Sequence, residues 1–67
     1  MYKKAKFIKA MIAARTKQGW TLRAMAEQIK TVSSATIYRI EAGSDTVTLN
    51  DFLHICKCLG LDAKDYI

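Results

Sequence analysis

The stretch Gly19–Gly43, GWTLRAMAEQIKTVSSATIYRIEAG, holds two short amphipathic segments separated by hydroxyl residues and ended by glycines. The Thr21 hydroxyl suits the N-cap of a helix whose inner face is Leu22, Met25, Ala26 and Ile29. Ser33 suits the cap of the next helix, with Ile37 and Ile40 inward, and Gly43 stops it because glycine enters the left-handed region at little cost. Upstream, residues 4–18 carry the helical stripe Phe7, Ile8, Met11, Ile12 and Ala14, and Gly19 stands at its C-cap. Downstream, Thr48-Leu49-Asn50-Asp51 is the acidic variant of a capping box and opens a fourth helix. Its apolar stripe is Leu49, Phe52, Leu53, Cys56 and Leu59, and Gly60 closes it. Asp62 then starts a last turn or two over residues 63–67, carrying Tyr66 and Ile67. The chain has no proline and just three glycines, each at an expected helix end, so the reading is all-α.

Sixty-seven residues make a single domain over 1–67, too small to enclose a cleft between lobes. Apolar residues at 51% and charged residues at 25% mark a globular rather than a disordered chain. The net charge of +5 is uneven. Residues 1–42 hold nine Lys and Arg against Glu27 and Glu41, or +7, whereas residues 43–67 carry −2. A basic half beside a mildly acidic one points to a polyanionic partner, nucleic acid or an anionic membrane. Residues 1–6, with Lys3, Lys4 and Lys6, read as a basic N-terminal arm.

Several classes fail on inventory. Cys56 and Cys58 supply neither a disulfide framework nor four zinc ligands, and on a helix their spacing turns the two thiols about 200° apart. They read as small apolar fillers in a reducing cytoplasm. No apolar run approaches the roughly 20 residues that span a bilayer, and Lys9 and Arg15 break the N-terminal stretch, so neither a membrane segment nor a signal peptide is expected. With one histidine, two divergent cysteines and no clustered carboxylates, no acid–base or nucleophilic constellation assembles. The expectation is a cytoplasmic protein that is not an enzyme, with no catalytic residue, metal site or cofactor and no evident small-molecule ligand.

The segments Gly19–Glu27 and Ser33–Gly43 resemble the helix-turn-helix of the Xre family, the lambda-repressor and Cro-like group. Leu49, Phe52, Leu53, Leu59-Gly60-Leu61 and Asp62 through Tyr66 are similar to its fourth and fifth helices, so the resemblance spans about Phe7 to Ile67. It implies a compact five-helix domain with the helix-turn-helix in helices 2 and 3. Three departures stand out. The turn holds one residue more than is usual and has Lys30-Thr31 in place of glycine, which leaves the crossing of the two helices open. Leu22 stands where relatives carry a phosphate-binding glutamine, and the loop Ser44-Asp45-Thr46, often basic in relatives, is neutral to acidic.

On a wheel with Ile37 and Ile40 inward, Ala35, Arg39 and Ala42 face outward with Tyr38 nearby, and Ser34 flanks the N-terminal end. A recognition helix over about 33–42 inserts that end into the major groove. Ser34, Ala35, Tyr38 and Arg39 are therefore the candidates for base contact, with Arg39 suited to guanine O6 and N7 and the Ala35 methyl to a thymine methyl. Lys3, Lys4, Lys6, Thr21, Arg23 and Lys30 are the candidates for phosphate contact, Thr21 through the free amides of its helix end. The resemblance implies that Arg15 and Glu41 form a structural ion pair. Trp20 is expected in the core and His54 on the surface, opposite the stripe of its helix.

The function implied is a sequence-specific double-stranded DNA-binding transcriptional regulator, repressor or Cro-like, that acts by occupancy. One such module makes few base contacts, so a homodimer on a palindromic operator is expected. Leu61, Tyr66 and Ile67 either form the dimer seam or close the monomer core. The alternative is an antitoxin-type or regulatory protein-binding module on the same fold, favoured by the acidic C-terminal half and by the loop after Gly43.

Overall fold

The computed structural model describes residues 2–44 and 47–67, and Asp45 and Thr46, part of the loop read as neutral to acidic, lie outside them. Four α-helices follow in order: α1 Lys4–Gln18, α2 Leu22–Ile29, α3 Ser34–Glu41 and α4 Leu49–Leu59. Each of the last three opens on a hydroxyl cap. The side chains of Thr21, Ser33 and Thr48 accept from the amides of Ala24, Thr36 and Asp51 at 3.0, 3.2 and 3.2 Å. Each bond satisfies one of the orphan donors of a helix start, which is why the boundaries fall where the hydroxyls do. Among the described residues there is no strand.

The expected fifth helix is instead one four-residue 3₁₀ turn, Ala63–Tyr66, with the Asp62 carboxylate accepting from the Lys64 amide at 3.1 Å. The 3₁₀ turn suffices to swing Tyr66 inward. Tyr66 is buried in the core, Leu61 is half-buried against it, and Ile67 is 63% exposed. Of these three residues Tyr66 thus closes the monomer.

The core is built on Phe7 and Met11 of α1, Met25 of α2, Ile37 and Ile40 of α3 and Ile55 of α4, all fully buried. α2 packs on α3, α1 runs against α3 and α4, and α2 also meets α4. Two expected stripes are corrected by this packing. In α4, Leu49 is 69% and Leu53 46% exposed, and Ile55 takes the inner position with Phe52 and Cys56. Leu53 lies about 100° from Phe52 around the helix, off the arc that Phe52, Ile55, Cys56 and Leu59 share. In α1, Ile12 stands at the edge of the core and is exposed.

Lys4 and Lys6 belong to α1, and the Lys3 amide donates to the Tyr66 carbonyl at 2.7 Å. Tyr2 stands edge-on to Phe7 and Phe52, with ring centroids 5.8 and 5.7 Å away, while Phe7 lies 4.9 Å from Phe52 and 5.5 Å from Tyr66. These edge-on ring contacts hold the segment before α1 against the core. Lys6 places its ammonium 5.7 Å from the Tyr66 centroid.

The turn between α2 and α3 contains the one non-glycine residue at positive φ among those described, Lys30 at φ 72°. Its amide closes α2 on the Ala26 carbonyl at 2.8 Å, and the buried Val32 holds the turn against the core. An L-residue in that region costs about 1–2 kcal/mol, of which glycine's greater freedom in the unfolded chain takes back part. Lys30→Gly is therefore expected to stabilise the domain by roughly 0.5–1 kcal/mol. The midpoint should rise by about 3–6 °C in a domain of this size. An unchanged or lower midpoint in thermal melts would show that the turn is not strained.

Candidate nucleic-acid interface

The N-terminal ends of α2 and α3 converge on one face. Thr21, Leu22 and Arg23 from the first, with Ser34, Ala35 and Tyr38 from the second, line a wide-mouthed hollow of about 580 Å³. Five of the sequence candidates, Thr21, Arg23, Ser34, Ala35 and Tyr38, are thereby brought together. Tyr38 is 61% exposed, and Thr21, Arg23 and Ala35 are exposed around it. Arg39 projects from the next position of α3, with Nη2 donating to Thr36 Oγ1 at 3.5 Å. The same Thr36 hydroxyl lies 3.0 Å from the capping Ser33 hydroxyl, so a short polar chain runs from the helix cap to the guanidinium.

α3 is held by a clasp at its other end. Arg15 donates through Nε to Glu41 Oε2 at 2.8 Å and through Nη2 to Oε1 at 3.1 Å, and its Nη1 reaches the Trp20 carbonyl at 2.9 Å. The side chains are 19% and 11% exposed. Paired N–H donors of a planar guanidinium match the two carboxylate oxygens, so the contact fixes orientation as well as distance. The end of α1, the residue before the α2 cap and the last residue of α3 are thus tied at one point. Trp20 itself is half-buried against the core.

The other phosphate candidates do not line the hollow. Lys30 is exposed in the turn, and Lys3 and Lys6 are exposed at the start of α1. Lys4 donates to the Gly43 carbonyl at 2.9 Å, past the end of α3.

Burial, and secondarily the nearby Asp62 carboxylate, raises the Cys56 pKa, and burial raises that of Cys58, so both stay protonated near neutral pH. Burial likewise raises the Tyr2 and Tyr66 phenols. Among the described residues no cluster of three or more His, Cys, Asp or Glu is placed to hold a metal ion, and no helix is long and apolar enough to cross a membrane.

Residues 13–65 match the family model described as a helix-turn-helix domain. The chain belongs to this helix-turn-helix family, which is of the Xre/Cro-like type. No curated protein and no solved structure matches it significantly. The family places the chain among DNA-binding regulators in general terms.

Two features of this helix-turn-helix domain were missed in the sequence. The Thr31 hydroxyl and His54 Nδ1 share a hydrogen bond of 3.0 Å, which joins the turn between α2 and α3 to α4. Residues 23 apart carry no signal of such a contact. The other is Thr36, whose position one turn before Arg39 is the i, i+3 spacing at which helical side chains meet.

Proposed function

We propose that the protein is a sequence-specific double-stranded DNA-binding regulator, of the repressor or Cro-like kind, with α3 laid in the major groove. The observation that carries this reading is the convergence of both helix N-termini on one hollow, exposed and cationic at Arg23, in the half of the chain with charge +7. Free amides at two helix ends attract phosphate oxygens, and the outward face of α3 is left for the bases. Ser34, Ala35, Tyr38 and Arg39 are assigned to base edges. Thr21, Arg23 and Lys30 are assigned to phosphates, with Lys3, Lys4 and Lys6 reaching a flanking backbone. Arg15 and Glu41 hold the angle of α3.

Operator selectivity needs two half-sites, and the reading includes a homodimer on a palindromic operator. Supporting it is a second, apolar groove of about 340 Å³ formed by Tyr2, Val47, Leu49, Phe52 and Ile67, in which the exposed Leu49 and Ile67 offer surface to a second copy.

The test is the salt dependence of duplex binding. Neutralising roughly four to six phosphates per subunit gives a slope of log K against log salt of about −0.9 per contact. Affinity should then fall roughly 10²–10³-fold for each subunit bound between about 50 and 200 mM salt. Replacing Lys3 and Lys4 by Ala should flatten the slope and leave the preferred sequence unchanged. Salt-independent binding would refute the DNA reading and favour a protein partner.

A further inference from the structure

The hollow between α2 and α3 has a chemistry of its own. A face that met only phosphates and polar base edges would be lined by donors and acceptors. Here the wall is predominantly apolar, with Leu22, Ala35 and Tyr38 lining it beside Thr21, Arg23 and Ser34. The Thr21 hydroxyl already accepts from the Ala24 amide at 3.0 Å. Leu22 is half-buried, held at the first position of α2 directly after its cap, and Ala35 is exposed in the first turn of α3.

Resting on the DNA-binding reading above, we propose that this hollow selects a thymine in the bound duplex by receiving its 5-methyl group. Among the four bases, thymine alone presents a methyl in the major groove, and the others present ring nitrogen, carbonyl or amino groups there. A polar edge set against Leu22 and Ala35 would lose its water and gain no partner, whereas the thymine methyl gains burial. Charge decides that the occupant is nucleic acid rather than an apolar peptide. Arg23 stands in the lining, Arg39 lies one position beyond Tyr38, and the half of the chain that forms the hollow carries +7, so an occupant must bring negative charge alongside its apolar group. A phosphate backbone flanking a base methyl does both. Leu22 is then a specificity-determining residue, and Ala35 and Tyr38 complete the wall.

The experiment replaces each thymine of the preferred duplex, taken from a random-library selection, by deoxyuridine, which keeps pairing and removes only the methyl. At one position per half-site the affinity should drop about fourfold, the effect of one buried methyl, and elsewhere it should change less than about twofold. Leu22→Gln should bind the thymine and deoxyuridine duplexes equally, and Leu22→Met should keep the discrimination. A flat deoxyuridine scan, with salt-sensitive and sequence-selective binding intact, would overturn the methyl reading and leave DNA binding standing. A Leu22→Gln protein that discriminates as strongly as the parent would overturn the assignment to the hollow. If the folded protein, checked by its melting transition, binds no duplex at low salt, both readings fail together. Because the deoxyuridine scan uses the unaltered protein, the outcome does not depend on the variants folding.

Discussion

Glu41→Ala is expected to lower the melting midpoint by roughly 10–20 °C. The substitution strips the Arg15 guanidinium of two charge-assisted hydrogen bonds, at 2.8 and 3.1 Å, and leaves it with the Trp20 carbonyl alone. Removing one partner of a fully buried pair costs about 3–5 kcal/mol, and with side chains 19% and 11% exposed the expected cost is about 2–3 kcal/mol. Stability in a domain of this size is marginal, so such a loss is a large part of the whole. Replacing both residues by apolar ones of similar volume, Arg15→Met with Glu41→Leu, should recover much of the midpoint, because the penalty lies in the orphaned charge. An unchanged midpoint in Glu41→Ala, followed by circular dichroism, would show that the clasp contributes no net stability.

Arg39→Ala is expected to weaken binding to the best operator by about 1–3 kcal/mol and to relax the preference at one base position per half-site. Arg39 is exposed on the outward side of α3 and is the only long cationic side chain of that helix. Its planar fork matches the two major-groove acceptors of guanine, which an ammonium does not. Arg39→Lys should therefore restore general affinity more than discrimination. The binding preferences of each variant, measured on a panel of operator mutants, separate readout from charge. Equal weakening on all sequences would assign Arg39 to a phosphate, as a rotated α3 would require.

Much of this architecture is local and was legible. Thr21, Ser33 and Thr48 cap helices because a hydroxyl beside an apolar run satisfies a helix start wherever the rest of the chain lies. Gly19 and Gly60, at φ 73° and 70°, end helices for an equally local reason. The outward set on α3 followed from its inward pair, Ile37 and Ile40. The pairing of Arg15 with Glu41 came from a resemblance and from no spacing rule.

What stayed hidden depends on neighbours distant in sequence. That Ile55 rather than Leu53 enters the core, that Tyr2 is held by Phe7 and Phe52, and that Arg15 also grips the Trp20 carbonyl all follow from how the helices meet. The turn shows the same division. Its lack of glycine was visible, but the left-handed strain at Lys30 and the bond from Thr31 to His54 arise only once Val32 is buried and α4 is in place. The amino-acid sequence by itself determined three hydroxyl-capped helices, three glycine stops and a basic half joined to an acidic one, because caps and charge act within a turn or two of the chain. Only the tertiary structure decided which apolar side chains are left outside the core. Leu22, Ala35 and Tyr38 line one hollow because α2 and α3 bring their N-termini together there, and burial depends on all the surrounding helices at once.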